Sequence, residues 1–181
     1  MARKTLTITL YMSEIVYAIM NKTHLTGRSR ETGNNHEEVA NMKANEDDEN
    51  MNQILQSIGT AFSKLKTKLS EYLEETGTTA SNIQIEADTD LTLALSMPTN
   101  YNEATRDTLS RGAHDYLVHS AISEWFTITN KNDAADYVAL AASDIETIRE
   151  AINKRTRPVR KAPTTGDDST TRDDSTTEEQ D

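Results

Sequence analysis

The stretch from Met51 to Leu73, MNQILQSIGTAFSKLKTKLSEYL, carries the clearest structural signal in this 181-residue chain. Its apolar residues recur at alternating spacings of four and three, which is the heptad pattern of a helix with one apolar side. Lysines and glutamates lie between them and suit the side that faces solvent. The stretch therefore predicts a helix about 35 Å long. The seam consists of Met51, Leu55, Ile58, Phe62, Leu65, Leu69 and Tyr72.

The predicted helix can bury its seam in two ways. It can be an ordinary core helix of its own domain. Alternatively, the seam can pack on a neighbouring subunit, because a helix of about 35 Å extends beyond the core of a small domain. Both interpretations stay open, and the seam is a candidate interaction surface.

Alternation of polar and apolar residues predicts a small antiparallel sheet on either side of this helix. Residues 5–10 alternate as an N-terminal strand, and residues 83–87 and 91–97 alternate as a hairpin around a turn at 88–90. Since two strands alone are marginally stable, we expect the N-terminal strand to be the third member of this sheet. Pro98 ends the hairpin.

The segment between the first strand and the seam combines a helix with a long polar connection. Residues 11–20 show helical spacing, with Ser13 as the expected N-cap. Residues 24–50 form the connection, although Val39 and Met42 could belong to a helix that starts near Asn35. A connection of this length without clear structure is usually functional or becomes ordered only on assembly.

Two further apolar-striped helices are predicted in the C-terminal half. The first runs from about Glu103 to Ile128 with Asn102 as its cap, and the second starts near Asp133 and stops before Pro158. Their short link predicts an antiparallel αα-hairpin. Gly112 interrupts the first helix and indicates a close backbone contact or a bend.

These elements predict a predominantly helical α+β domain over residues 1–162, followed by a disordered tail. The fold would combine the small antiparallel sheet, the long heptad-patterned helix and the C-terminal αα-hairpin. Residues 163–181 hold seven acids and one arginine, a net charge of −6, so the rest of the chain carries −5 of the total of −11. This tail is rich in Ser and Thr and has almost no apolar residue to bury, so it cannot offset its ordering entropy.

Motifs of enzyme chemistry are missing from the sequence. It has no phosphate-binding glycine loop, nucleophile elbow or metalloprotease helix, and the absence of cysteine excludes thiolate sites. His114 and His119, five residues apart on one helix, point away from each other and cannot share a metal. We therefore predict a non-enzyme without cofactor, metal or catalytic residue. The first residues lack the apolar run and small-residue cleavage site of a signal peptide, and no window is apolar over about 18 residues. We therefore expect no signal peptide, no membrane helix and no membrane partner.

Two further segments are candidate contact sites. Trp125 and Phe126 could anchor an interface or pack in the core. The other segment is basic and precedes the acidic tail. It can contact phosphates, or it can form a positive helix end that the helix dipole favours. Its residues are Lys154, Arg155, Arg157, Arg160 and Lys161.

Five short segments resemble a poorly characterised family found in the structural gene clusters of tailed phages and prophages of gut bacteria. They are Leu25–Arg30, Ile58–Phe62, Glu124–Lys131, Asp133–Tyr137 and Arg155–Pro158. The similarity extends through most of residues 5–160 and excludes the acidic tail. It implies a virion protein, assembled in the host cytoplasm, in a ring-forming connector or adaptor at the head–tail junction or in the tail. Its implied partners are other virion proteins or further copies of itself, and the family supplies no catalytic residues.

The main alternative is a DNA-binding or regulatory interaction protein. It would use either the N-terminal strand and helix or the basic run at residues 154–161. The strand-then-helix opening is similar to ribbon-helix-helix proteins, in which a short strand pairs with its twofold mate in the major groove. The expected second helix does not follow promptly here, because residues 24–34 are rich in turn formers. A net charge of −11 also makes general binding of nucleic acid unfavourable.

Overall fold

The computed structural model describes residues 3–75 and 77–158, which form a predominantly helical α+β fold, as predicted. Five helices and one small antiparallel sheet share a hydrophobic core. The elements in chain order are strand β1 (Arg3–Leu10), helices α1 (Met12–Ser29), α2 (His36–Met42) and α3 (Asp48–Lys68), strand β2 (Leu91–Pro98), a 3-10 turn (Glu103–Thr105), and helices α4 (Arg106–Thr129) and α5 (Lys131–Asn153).

The sheet consists of β1 and β2, which pair antiparallel from Arg3 opposite Pro98 to Leu10 opposite Leu91. Alternate residues of both strands face the core, while the threonines of β1 face solvent. The predicted three-stranded arrangement is wrong, because residues 83–87 do not form a strand. Ile83 of that segment is 84% exposed.

The predicted strand at residues 83–87 would have to pair with the outer edge of β2. The backbone of Tyr72–Glu74 occupies this edge instead. Leu73 forms an isolated bridge with Leu95. The Glu74 N–H donates to Ala94 O at 3.0 Å, and the Ser96 N–H donates to Tyr72 O at 2.6 Å. The chain therefore has to leave α3 at Lys68 and turn, so the helix ends five residues before the predicted end at Leu73.

Helix α1 is longer than the predicted helix at residues 11–20, because it continues to Ser29 and includes Gly27. A Cβ at Gly27 would lie 3.2 Å from Val39 O, so glycine allows the end of α1 to pack closely against α2. The prediction of Ser13 as N-cap is also wrong. The cap residue is Tyr11, and the Met12 N–H donates to the Asp90 carboxylate at 3.1 Å.

The long polar connection contains the short helix that the sequence suggested. Helix α2 starts at His36 and buries Val39 and Met42, so residues 24–50 contain one irregular stretch on each side of it. The predicted role of this connection in assembly stays a prediction.

The αα-hairpin of α4 and α5 is confirmed. Asn130 alone separates the two helices, and the Asn102 side chain caps the 3-10 turn before α4 by accepting from the Ala104 N–H. The close contact predicted at Gly112 is present, since a Cβ there would lie 3.0 Å from Ile148 Cγ1. The predicted disordered tail lies outside the described residues, as do Arg160 and Lys161.

Candidate functional site

The seam of α3 faces the core of its own chain. Ile58, Leu65 and Leu69 are almost completely buried, and Leu55 and Phe62 are 8% exposed. Met51 and Tyr72, at the two ends of the seam, are half-buried against the same core. The interaction role predicted for the seam is therefore wrong, because side chains buried within the chain cannot also cover a neighbour. The other interpretation, an ordinary core helix, is correct.

Trp125 and Phe126 are core residues as well. The indole N–H of Trp125 donates to Met42 O at 2.9 Å and joins α4 to the end of α2. Phe126 is fully buried and packs edge-on against Tyr137, with 5.4 Å between the ring centroids. Neither side chain is available as an interface anchor.

The outer edge of β1 has no backbone partner within residues 3–75 and 77–158. Ala94 and Ser96 direct their backbone groups away from β1, toward Glu74 and Tyr72. Their partners across the ladder, Thr7 and Thr5, therefore also direct their N–H and C=O groups outward, because the two residues of a pair in an antiparallel ladder behave alike. This edge can add a further strand.

A groove of about 530 Å³ begins at the C-terminal end of this edge, between the first halves of α1 and α4. Tyr11 and Tyr17 border it and are 58% and 68% exposed. Its charged residues are Glu14, Lys22, Asp107 and Arg111, and His114 is also part of its wall. We call the β1 edge together with this groove the edge surface.

A partly buried polar network anchors Lys22, which lines the groove. Lys22 Nζ lies 2.6 Å from His119 Nε2, and His119 Nδ1 lies 2.7 Å from Asp144 Oδ2. Because an ammonium group can only donate, Nε2 accepts and the Nδ1–H donates to Asp144. The network links α1, α4 and α5, and protein atoms engage both ring nitrogens. We interpret it as a structural link between the three helices.

An ion pair fixes the far end of α1 to the start of α5. The Arg30 guanidinium donates to both carboxylate oxygens of Asp133, which is buried and also accepts from Asn130 Nδ2 at 2.6 Å. These hydrogen bonds raise the pKa of Arg30 above its ordinary value. No sequence pattern indicates this pair, since its members are 103 residues apart.

The fold brings Arg3 and Lys4, at the start of β1, and the basic run that begins at Lys154 to one end of the molecule. Arg3 lies opposite Pro98 at the end of the sheet. The residues after Pro98 pair with the end of the chain, since the Asn102 N–H donates to Lys154 O at 3.1 Å and the Thr156 N–H donates to Asn100 O at 2.9 Å. Tyr101 forms a bridge with Arg155. Arg3 and Lys154 therefore lie on neighbouring segments.

Lys4, at this end of the sheet, forms an ion pair with Glu103 in the 3-10 turn before α4. Its ammonium donates to Glu103 Oε1 at 2.6 Å, and the hydrogen bond and charge of Lys4 lower the pKa of Glu103. We call this region, with its described cations, the basic end. The cations are Arg3, Lys4, Arg106, Lys154, Arg155 and Arg157.

No protein-family model, curated protein or solved structure matches the chain. None of the helices in the described ranges combines the length and apolar character needed to cross a membrane. The described residues also hold no group of three or more His, Cys, Asp or Glu side chains placed to bind a metal ion.

Proposed function

We propose that this chain is a non-enzymatic structural or assembly protein of a tailed-phage particle, in a connector or adaptor at the head–tail junction or in the tail. It functions by docking on other virion proteins or on further copies of itself. The edge surface carries the proposal, because a strand edge with free N–H and C=O groups beside a groove with exposed tyrosines suits protein docking.

The polar residues of the edge surface also favour docking over catalysis. Thr5, Thr7 and Thr9 are exposed and β-branched, so they favour an extended partner strand. The groove holds two carboxylates and two basic side chains, which suits a partner surface of mixed charge. Its lysine is held by the buried His119 network.

The test combines the full chain with the proteins encoded by its neighbouring genes. Native mass spectrometry and negative-stain imaging should show a ring or another defined complex. A chain that stays monomeric and binds none of these proteins would contradict the proposal.

A substitution at Thr7 tests whether the β1 edge makes the contact. Thr7→Pro removes an outward N–H but no donor of the β1–β2 ladder, and proline is tolerated on edge strands in this orientation. We expect it to abolish the complex while the thermal unfolding of the isolated chain changes little. Thr7→Val is the matched control, because it keeps the N–H and the β-branched side chain, and it should assemble like the wild type. Equal assembly of both variants would show that the edge is not the contact.

A further inference from the structure

We propose that the basic end binds the phosphodiester backbone of a DNA duplex, with the solvent face of the sheet lying against it. The proposal rests on local charge and on the solvent face of the sheet. It shares the side chains of Thr5, Thr7 and Thr9 with the edge surface but does not need the free backbone edge of β1. Protein docking through β1 could fail while this site binds DNA, and the reverse is also possible.

The first argument is that Arg3 and Lys4 are far apart in sequence from residues 154–157 but lie next to them in the fold. Arg3, Lys154 and Arg157 are exposed and form no ion pair with any described residue. The carboxylates of the same segments are Glu103, Asp107 and Glu150. Six cations against these three carboxylates and Glu74 of the adjoining sheet face give the proposed DNA-binding surface a local charge of about +2 in a chain of −11, and phosphate binding depends on such local excess.

The solvent face of the sheet is the second argument. It carries the hydroxyl groups of Thr5, Thr7, Thr9 and Thr92 beside Arg3, and these donors can contact phosphate oxygens and base edges. The carboxylate of this face is Glu74, at the border away from β1. A two-stranded antiparallel ribbon fits the major groove of B-form DNA, whereas the major groove of an RNA duplex is too narrow. Tyr72–Glu74 widen the β1–β2 ribbon only beside Ala94–Ser96.

Fluorescence anisotropy with a labelled 20-base-pair DNA duplex tests the site, using the full chain from 50 to 200 mM salt. We expect binding at 50 mM salt that weakens steeply as salt rises, because each neutralised phosphate adds a slope of about −0.9 to the plot of log affinity against log salt. Absence of binding at 50 mM salt would overturn the proposal.

The variant Arg3→Gln/Arg157→Gln removes two of the exposed cations. Its affinity at 50 mM salt should fall by about tenfold or more, and the salt slope should become shallower by about 2. The matched control is Arg28→Gln/Lys131→Gln. It removes the same charge from exposed positions at the C-terminal end of α1 and the N-terminal end of α5. Its affinity and slope should stay near those of the wild type. An equal loss in both variants would overturn the proposal, because only total charge would then matter.

Two competitors identify the ligand class. Unlabelled DNA should displace the probe, while an RNA duplex of the same sequence and polyglutamate of equal charge should compete much less well. Equal competition by polyglutamate would assign the basic end to an acidic protein partner, and equal competition by RNA would overturn the fit to the DNA groove.

Discussion

Gly59 and Gly112 lie inside long helices, where each lacks the helix propensity of alanine, but their surroundings differ. A Cβ at Gly112 would lie 3.0 Å from Ile148 Cγ1, and Ile148 is fully buried in the αα-hairpin. A Cβ at Gly59 would lie 3.3 Å from Ile85 Cδ1, the tip of a side chain in a segment without regular structure. Ile148 therefore cannot move easily to make room for a Cβ at Gly112, whereas the tip of Ile85 can move away from a Cβ at Gly59.

We therefore expect opposite effects of alanine at these two positions. Gly59→Ala should raise the free energy of unfolding by about 0.5–1 kcal/mol, the usual gain from replacing a helical glycine. Gly112→Ala should lower it by up to about 2 kcal/mol, because overpacking a core by one methyl typically outweighs that gain. Urea unfolding of both variants measures the difference. A Gly112→Ala protein as stable as the wild type would show that α4 and α5 separate easily at this crossing.

Side-chain pairs between distant residues are the part of the site that the sequence could not predict. The link from Lys22 through His119 to Asp144 joins three helices, and periodicity within one helix says nothing about its partner on another. The sequence did indicate that His119 points away from His114. It gave no way to find that a carboxylate and an ammonium group flank the imidazole.

A substitution at Phe62 tests whether α3 packs in the core of its own chain. Phe62→Asp should lower the free energy of unfolding by about 3 kcal/mol or more, because it combines a lost aromatic ring with a buried charge. Ser63→Asp is the matched control on the exposed side of the same helix, and it should change stability by less than about 0.5 kcal/mol. Chemical denaturation checks both. A small effect at Phe62 together with a loss of oligomer would restore the seam as an interface.

The sequence predicted helices better than strands, and the reason is competition for one edge of the sheet. Helix periodicity is local, so the extents of α4 and α5 and the existence of α2 could be predicted closely. The alternation of Ile83 and Ile85 fits a strand equally well. Tyr72–Glu74, which show no strand pattern, occupy the edge that this strand would need. Only the three-dimensional arrangement decides which segment pairs with β2.

Long-range packing also decides between the two interpretations of the α3 seam. A heptad seam predicts that one side of a helix is covered, but it does not say whether the cover comes from the same chain. Here α4 lies against α3, and both belong to the one core that also takes the inner face of the sheet. The candidate surface is instead the edge of β1, whose free side depends on where β2 and residues 72–74 lie.

The charges of the chain are unevenly distributed along the sequence, with an acidic segment at the C-terminus. Residues 163–181 carry a net charge of −6 and follow directly after the basic run at residues 154–161. Since like charges repel across about 10 Å at moderate salt, these acids should weaken the attraction of the chain for DNA.

Truncation after Pro163 tests this balance. It changes the net charge from −11 to −5, so the affinity for duplex DNA at 50 mM salt should rise, and the rise should fade at 200 mM salt because of screening. The melting temperature should change by less than about 2 °C, since the removed residues are almost wholly polar. The control is a full-length chain whose tail acids are replaced by Asn and Gln, which should reproduce the gain if charge is the cause. An unchanged affinity in both proteins would contradict the electrostatic role, and a large fall in melting temperature would show that the tail packs against the folded body.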